Sequence, residues 1–342
     1  MNGNCHKLNG GLKKMKKNKI LITGGAGLIG SNLCKNLISN GYEVYVVDNL
    51  WRGKLENLKD NNNYIIDIKN NFFNFDLREL ENCLKVTKDI DLIIHLADIV
   101  AGINFVFDNE LFIFRSNLLI NSNILNSAIE NNVSKILYVG TACSYPLERQ
   151  NKLNLPPLKE DEVYPANPES SYGWSKLMGE YEMELANKLK HIETGTLRLH
   201  NVYGPPCEIS PEKSQVIPSL IRKLIKNEEF IVWGSGQQRR AFLYVDDVVD
   251  GILKYIDKGF GKGTIQLSPE NSTSISEVAE KLLEISKKNI KIIYDTSKPE
   301  GDKDRTGDTS KARKDLDWKP TTSINDGLEK TYDWVKAYLK KK

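Results

Sequence analysis

The stretch KILITGGAGLIG, residues 19–30, runs a short apolar segment directly into four glycines. It predicts a buried strand, a tight turn and the start of a helix. Gly24 permits the turn, Gly27 lets the backbone approach a pyrophosphate at the helix N-terminus, and Gly30 lets helix and strand pack closely. The predicted dinucleotide contacts in this stretch are Gly24, Gly27, Leu28, Ile29 and Gly30.

An acidic residue ends the second predicted strand, EVYVVD at residues 43–48. Asp48 lies near the offset of about 20 residues at which a carboxylate binds the adenosine ribose hydroxyls. It favours NAD over NADP, because a 2′-phosphate would face a negative charge. Arg52 keeps NADP open, because a guanidinium there would hold such a phosphate. Further contacts are predicted at Asn49, Asp76, Leu77, Leu96 and Ala97, with a helix N-cap as the alternative for Asp76.

Apolar runs alternate with helical patterns along the first 200 or so residues. The predicted strands are Lys19–Thr23, Glu43–Asp48, Tyr64–Ile66, Asp91–Leu96, Lys135–Val139 and Leu197–Leu199, and the predicted helices are Ser31–Ser39, Asn117–Ile129 and Trp174–Leu189. Strands this apolar, joined by helices, imply a parallel sheet covered on both faces. The predicted fold class is α/β, a doubly wound parallel sheet of the Rossmann type with a smaller C-terminal α/β lobe.

From Tyr203 onward prolines become more frequent and the predicted elements become shorter. Helices are predicted at Ile217–Ile225, Asp246–Tyr255, Ile275–Ser286 and from Ile324, with a strand at Phe230–Val232. The predicted organisation is a flexible basic tail at 1–18, a dinucleotide-binding domain at 19–202 to which 241–265 return, and a substrate lobe at 203–240 and 266–342.

Composition narrows the class of protein. The 342 residues carry 48 basic and 45 acidic side chains, a net charge of +3, and are 40% hydrophobic. This excludes a disordered chain or a small disulfide scaffold, and it gives no positive field to hold nucleic acid. An odd set of five cysteines without CxxC spacing indicates a reducing compartment, and no apolar run suits a membrane span or signal peptide. We therefore expect a cytoplasmic enzyme without a bound metal.

The segment YGWSK, residues 172–176, spaces a phenol and an ammonium four residues apart. On a helix that spacing puts Tyr172 and Lys176 on one face. An ammonium near the phenol, together with a nicotinamide cation, would lower the pKa of Tyr172 enough for it to act as a base near neutral pH. Thr141 ends the fifth predicted strand and completes the predicted catalytic set.

These motifs carry a family resemblance. The chain resembles the extended short-chain dehydrogenase/reductases that modify nucleotide sugars, from about Lys19 to the C-terminal helix. Within that group it looks like the GDP-mannose 3,5-epimerases and the GDP-fucose synthases, which place a cysteine two residues beyond the catalytic hydroxyl. The similar segments are GTACSYP at 140–146, the stretch 158–168, LHNVYGP at 199–205, and PEG at 299–301 with Arg305.

The resemblance implies a reaction at C4 of a hexose. Thr141 would bond the sugar O4, Tyr172 would remove its proton as hydride leaves C4 for NAD, and Lys176 would hold the cofactor ribose. The resulting ketone acidifies C3 and C5, where Cys143 would exchange protons. A second acid/base is expected before the helix at Val216, where an ungapped count puts Gln215, which cannot exchange a proton. The predicted catalytic residue is therefore Lys213, two residues upstream, which would reach the site through a remodelled loop. The implied substrate contacts are Asn201, Gln215, Arg240 and Arg305.

Several alternatives stay open. VDNLWRGKLENL at 47–58 and GSGQQRRAFLYVDD at 234–247 also look much like the UDP-sugar 4-epimerases, which need no second acid/base. A keto-sugar reductase of the fucose-synthase kind also fits Cys143. A 4,6-dehydratase is disfavoured, because no Asp-Glu pair follows Thr141, and a non-catalytic NAD sensor would have no use for the catalytic set. The resemblance implies a homodimer through the helices at 117–129 and 172–189.

Overall fold

The computed structural model describes residues 19–100, 102–298 and 301–341. The predicted basic tail and the Pro299-Glu300 part of the PEG motif lie outside these residues. The helices are α1 (Leu28–Ser39), α2 (Ile68–Asn71), α3 (Leu80–Val86), α4 (Ile103–Asp108), α5 (Glu110–Glu130), α6 (Ser171–Lys188), α7 (Val216–Lys226), α8 (Val245–Lys258), α9 (Ile275–Ser286), α10 (Ser310–Leu316) and α11 (Ile324–Lys340).

The strands are short outside the central sheet. They are β1 (Lys19–Thr23), β2 (Glu43–Val47), β3 (Lys59–Asp60), β4 (Asn63–Tyr64), β5 (Phe72–Phe73), β6 (Leu92–His95), β7 (Lys135–Thr141), β8 (Glu193–Leu199), β9 (Asn201–Tyr203), β10 (Ile231–Trp233), β11 (Arg239–Arg240), β12 (Phe242–Tyr244), β13 (Ile265–Leu267), β14 (Thr273–Ser274) and β15 (Ile293–Asp295).

Within the described ranges, seven parallel strands form the central sheet, in the order β13-β8-β7-β6-β1-β2-β5. The strand order reverses between β1 and β6, whose carboxyl ends pair Thr23 with His95. In open α/β sheets the ligand crevice lies outside the carboxyl ends of strands at such a switch point. The predicted doubly wound α/β fold is confirmed, and the topology marks where its site lies.

Alternation along the strands explains why both faces are covered. On β1, Ile20 and Ile22 pack with α1 and α8, whereas Leu21 faces the side of α3, α5 and α6. Successive side chains of a strand point to opposite faces, so an uninterrupted apolar run needs helices on both sides. The first of these clusters also includes Phe230, Val278 and Val335 of the C-terminal segment, so the two parts of the chain share one continuous core.

The predicted strand at Tyr64–Ile66 is wrong. Asn63–Tyr64 pair with Lys59–Asp60 in a small antiparallel hairpin that turns at Asn61, which has a φ of 54°. Asp67 then caps α2 through its side chain and ends the run, while Ile66 is buried in the core. The edge of the sheet is β5 instead, where Phe72–Phe73 pair with β2.

The remaining elements position the C-terminal side of the crevice. β9 continues from β8 and pairs with β12, which leads into α8, while α7, α9 and α11 pack on one another. β13 forms the sheet edge beside β8 and runs to Leu267, two residues beyond the predicted returning segment. No helix among the described residues combines the length and apolar character that crossing a membrane requires.

Candidate active site

A cavity of about 800 Å³ lies between the carboxyl ends of the sheet and the C-terminal lobe. This size is typical of a small-molecule or cofactor site. It brings together most of the residues predicted from the sequence. Those that line it are Gly24, Gly27, Leu28, Ile29, Gly30, Asp48, Asn49, Asp76, Leu77, Leu96, Ala97, Thr141, Cys143, Tyr172, Asn201, Gln215, Arg240 and Arg305, whereas Lys176 and Lys213 do not.

The glycine turn forms one end of the cavity. Gly24 has a φ of +67° and its N–H donates to the Val47 carbonyl at 2.8 Å. A Cβ on Gly30 would lie 2.6 Å from the Gly24 carbonyl oxygen, so only glycine lets α1 start this close to the turn. α1 begins without a side-chain cap and without an acidic residue in its first turn. Its N-terminal N–H groups therefore suit a phosphate.

Asp48 lies beside this turn as a buried carboxylate. Its Oδ2 accepts a hydrogen bond from the Ala26 N–H at 3.0 Å and its Oδ1 accepts one from the Leu50 N–H at 2.8 Å. Burial raises the pKa of Asp48, and the two backbone donors oppose that shift. The glycine cradle and this fixed carboxylate fit the pyrophosphate and ribose of a nicotinamide dinucleotide.

Arg52 does not serve the adenosine end of the cavity. Its Nη1 donates to the Val100 carbonyl at 3.4 Å, and its charge acts on Asp98 and Tyr172. Burial lowers the pKa of this guanidinium, and the Asp98 carboxylate opposes that shift. The Arg52 guanidinium, which could have held the 2′-phosphate of NADP, therefore lies toward Asp98 and Tyr172 instead.

Asp76 is held by a neighbour in sequence. Arg78 donates to both of its carboxylate oxygens, with Nη2 2.6 Å from Oδ2 and Nε 3.0 Å from Oδ1. The hydrogen bonds from Arg78 lower the pKa of Asp76. The N-cap of α3 is Glu79, so the alternative of a helix-capping Asp76 is wrong.

The catalytic end of the cavity holds a carboxylate that the sequence analysis missed. The Tyr172 hydroxyl donates to Asp98 Oδ2 at 2.9 Å, and Lys176 Nζ lies 3.5 Å from the same oxygen. Lys176 is buried, with 2% of its side chain exposed. Asp98 follows β6 by three residues, at the carboxyl edge where ligands bind. An acidic residue directly after a buried parallel strand is the sequence pattern from which Asp98 could have been predicted.

Asp98 changes the electrostatics of the Tyr-Lys pair. Burial first, and then the Asp98 carboxylate, raise the pKa of Tyr172 well above its usual range. Burial lowers the pKa of Lys176, and Asp98 opposes that shift. The predicted lowering of the Tyr172 pKa depends on the nicotinamide cation as well as on Lys176, and it stays a prediction for the enzyme with NAD bound.

Thr141 and Cys143 lie on the turn that ends β7. Thr141 Oγ1 accepts a hydrogen bond from the Cys143 N–H at 3.2 Å and so caps the short 3₁₀ helix Ala142–Ser144. A Cβ on Gly173 would overlap the Cys143 carbonyl. The glycine inside YGWSK therefore lets α6 press against this turn, which places Thr141, Cys143 and Tyr172 around one space.

Arg305 is engaged at the thiol end of the cavity. Its Nη1 donates to Cys143 Sγ at 3.1 Å, and the rest of the guanidinium bonds to Gln150 and pairs with Asp302. Arg305, which the resemblance implies as a contact of the substrate diphosphate, is thus held beside Cys143 by Gln150 and Asp302. Gln150, which lies far from Arg305 in sequence and in none of the motifs, is a further positioning residue that sequence patterns do not reveal.

Arg240 and Asn201 remain suited to a substrate. Arg240 Nη1 donates to the carbonyls of Arg239 and Asp302 at 2.8 and 2.6 Å, and burial, with the nearby Arg305 charge, lowers its pKa to about 10. Asn201 lines the cavity, and its buried Oδ1 has no hydrogen-bond partner among the described residues. A polar atom left in that state fits a donor group of a bound ligand.

The structure separates the two candidates for the second acid/base. Lys213 Nζ donates to the Trp51 carbonyl at 2.7 Å and lies 4.6 Å from the centre of the Trp51 ring. Gln215, the N-cap residue of α7, lines the cavity. Of the two candidates, Gln215 therefore lines the cavity, whereas Lys213 is bonded to Trp51 and does not line it. Across the described ranges, no group of three or more His, Cys, Asp or Glu side chains is arranged to hold a metal ion.

The glycine turn, the buried carboxylate beside it and the Tyr172–Lys176 pair together indicate an enzyme that uses a nicotinamide dinucleotide. Residues 20–267 match the model of the NAD dependent epimerase/dehydratase family. The chain belongs to this family, which confirms the predicted recognition, the enzyme class at family level and NAD as the cofactor.

Individual relatives cover nearly the whole chain. The chain is 32% identical over 327 residues to GDP-mannose 3,5-epimerase 1 of Oryza sativa subsp. indica, covering 95% of this chain and 84% of that protein. A solved UDP-glucose 4-epimerase of Thermotoga maritima with UDP-glucose is 27% identical, with a TM-score of 0.84 and coverage of 94% and 99%. A UDP-glucuronic acid 4-epimerase of Bacillus cereus, solved with UDP-glucuronic acid and NAD, is 28% identical, with a TM-score of 0.78 and the same coverage.

Proposed function

We propose that this enzyme epimerises a nucleotide-activated hexose through transient oxidation at C4, with GDP-mannose as substrate and C3 and C5 as the inverted carbons. The observation that carries the proposal is the Cys143 thiol, which lines the same cavity as Thr141 and Tyr172. The similarity to a GDP-mannose 3,5-epimerase over 95% of the chain supports it.

The residues divide the chemistry between oxidation and proton exchange. Bound NAD supplies the hydride acceptor and donor. Thr141 and Tyr172 hold the sugar O4, and Tyr172 takes its proton. The ketone at C4 acidifies the hydrogens on C3 and C5, and the Cys143 thiol exchanges protons with those carbons. Arg305, which donates to Cys143 Sγ, fixes the position of the sulfur.

One observation favours a second function, that of a UDP-sugar 4-epimerase. Inversion at C3 and C5 calls for a second acid/base group besides Cys143, and of the two candidates for it Gln215 lines the cavity whereas Lys213 bonds to the Trp51 carbonyl. Inversion at C4 needs only that the keto sugar rotates before hydride returns. The two solved 4-epimerases that match this chain support this alternative.

Heavy water separates the two functions. The purified protein is incubated with GDP-mannose, UDP-glucose or UDP-galactose in heavy water without added reductant, and products are followed by NMR. Deuterium at C3 or C5 of the GDP-hexose is the result we expect. Inversion at C4 without deuterium would instead establish the 4-epimerase, and no product from any of the three sugars would contradict both.

We also propose that the protein is a cytoplasmic homodimer. Large apolar side chains are exposed on the neighbouring helices α5 and α6, namely Leu111, Phe112, Leu119, Tyr181 and Leu185. A second copy that covers this surface through the same helices would remove them from water. Cys34, Cys83, Cys143 and Cys207 are free thiols, which supports a reducing compartment.

A further inference from the structure

Two loops from different parts of the chain border the cavity together. Residues 205–215, here called the strap, connect β9 to α7, and residues 49–54, here called the 49–54 loop, follow Asp48 directly. The members of the strap that line the cavity are Pro206, Cys207, Glu208, Pro211, Glu212, Ser214 and Gln215. Those of the 49–54 loop are Asn49, Trp51, Arg52, Gly53 and Lys54.

The 49–54 loop is built onto the glycine turn. The Lys54 N–H donates to the Ala26 carbonyl at 3.2 Å, and Asn57 Nδ2 donates to the same oxygen at 2.8 Å. A Cβ on Gly53 would lie 2.9 Å from Asp48 Oδ2, so the backbone there lies against the buried carboxylate. The loop therefore borders the residues that fit the pyrophosphate and ribose of a dinucleotide.

The strap is fastened to the 49–54 loop at two points. Lys213 Nζ donates to the Trp51 carbonyl at 2.7 Å and lies 4.6 Å from the centre of the Trp51 ring. Glu208 Oε2 lies 2.9 Å from Lys54 Nζ. Each contact joins an ammonium to an oxygen, and hydrogen bonds with a charged partner are stronger than those between neutral groups.

The strap is shaped to make these contacts. Glu208 Oε1 accepts hydrogen bonds from the N–H groups of the next two residues at 2.9 and 2.7 Å, which leaves Oε2 for Lys54. The Glu208 side chain is only 10% exposed, so solvent screens this pair less than a surface ion pair. At the start of the strap, the Pro205 carbonyl accepts from Asn32 Nδ2 of α1 at 2.9 Å.

We propose that the strap retains the bound dinucleotide, with Lys213 and Glu208 as the residues that fasten it. With both contacts made, the strap and the 49–54 loop border the cavity beside Asp48. A dinucleotide held by the glycine turn and Asp48 then leaves only after the strap separates from that loop. The proposal rests on NAD as the cofactor and not on the identity of the sugar. It gives the Lys213 ammonium a role in cofactor retention.

Exchange of bound NAD measures this retention. The protein is loaded with isotopically labelled NAD and mixed with a large excess of unlabelled NAD, and the label that stays bound is followed over time. We expect Lys213→Met and Glu208→Gln each to release the label about tenfold faster, because each change removes one charge-assisted contact. The double variant should release it about 100-fold faster, because the strap then lacks both contacts.

The rate of association separates a loosened strap from a damaged site. A strap that opens more often should let NAD bind the variants at least as fast as it binds the wild type, in stopped-flow mixing followed by tryptophan fluorescence. Slower binding, or an unchanged rate of release in all three variants, would overturn the proposal. Lys226→Met and Glu229→Gln, at exposed positions of the same lobe, are the matched controls and should keep wild-type rates.

Amide hydrogen exchange of the wild type gives a readout that needs no variant. We expect the amides of the strap to exchange more slowly with saturating NAD than without it, because a ligand in the cavity adds contacts to the closed strap. Equal exchange with and without NAD would overturn the proposal, even if a variant does not fold.

These measurements also separate the strap from the proposed function, because none of them uses a sugar. If no nucleotide sugar is turned over, the proposed function fails while the release of NAD still decides the proposal. If GDP-mannose is turned over and the variants release NAD at the wild-type rate, the strap alone is overturned.

Discussion

Tyr172 donates its phenolic hydrogen to Asp98 and not to a group on its own helix. The two residues are 74 positions apart, and the contact joins the end of β6 to the first turn of α6. Lys176, one helical turn further along, meets the same carboxylate oxygen. The reactive hydroxyl is therefore oriented by the sheet edge as well as by its helix.

Removing that hydroxyl should stop the reaction. We expect Tyr172→Phe to lower turnover by about 10²–10⁴-fold with every substrate, because the O4 proton loses its acceptor. NMR of the products measures this loss. Tyr64→Phe, at an exposed tyrosine of β4, should keep wild-type turnover. Full activity of Tyr172→Phe would refute the assigned site.

The thiol separates the two proposed functions. In Cys143→Ala we expect deuterium incorporation at C3 and C5 to stop, because no proton donor or acceptor remains beside the ketone, while hydride transfer at C4 is largely kept. NMR of the products formed in heavy water measures both the deuterium at C3 and C5 and the inversion at C4. Cys143→Ser tests whether a hydroxyl of similar size restores exchange. An equal loss of C4 inversion and C3/C5 exchange would show that Cys143 only shapes the cavity.

Two buried histidines should make the protein acid-sensitive. His95 bonds to Thr23 and Asn121, and His200 to Gln266, and burial lowers the pKa of each histidine to about 3. The unfolded chain binds their protons below about pH 6.5, so stability is retained above that pH and falls as pH drops toward 3. We expect each to reduce the free energy of unfolding by about 2 kcal/mol between pH 7 and pH 5.

Denaturant unfolding at the two pH values measures that loss. The His95→Gln variant isolates one contribution, since glutamine does not titrate and still offers polar atoms to Thr23 and Asn121. Between pH 7 and pH 5, the free energy of unfolding of this variant should drop by about 2 kcal/mol less than that of the wild type, which is the contribution of one histidine. A pH dependence identical to that of the wild type would refute the contribution of His95.

The proposed dimer surface can be tested at an exposed apolar side chain of α5. Leu119 is 49% exposed, and we expect Leu119→Glu to convert the proposed dimer to a monomer, because a carboxylate at the proposed contact would be buried without a partner. Light scattering measures the mass. Leu153→Glu, at a position 45% exposed away from these helices, should remain dimeric. A dimeric Leu119→Glu would place the contact elsewhere.

Local patterns predicted the parts of the site that lie within one segment. The glycine turn with Asp48, and Tyr172 with Gly173, follow from spacing because one strand-turn-helix or one helix face fixes their geometry. The Asp98–Tyr172 contact and the direction of Lys213 toward Trp51 depend on side chains 74 and 162 positions apart. The edge strand β5 was missed because Phe72–Phe73 make a two-residue pairing too short to show alternation.

The bond from Arg305 to Cys143 spans 162 positions of the chain. A chain leaving the ribosome exposes the glycine turn, Asp48, Tyr172 and Lys176 long before Arg305 is made. The half that holds the dinucleotide is thus complete in sequence first, whereas the sulfur gains its guanidinium partner only near the end of synthesis. The order of translation therefore supplies the guanidinium partner of the proposed acid/base thiol only with the C-terminal segment.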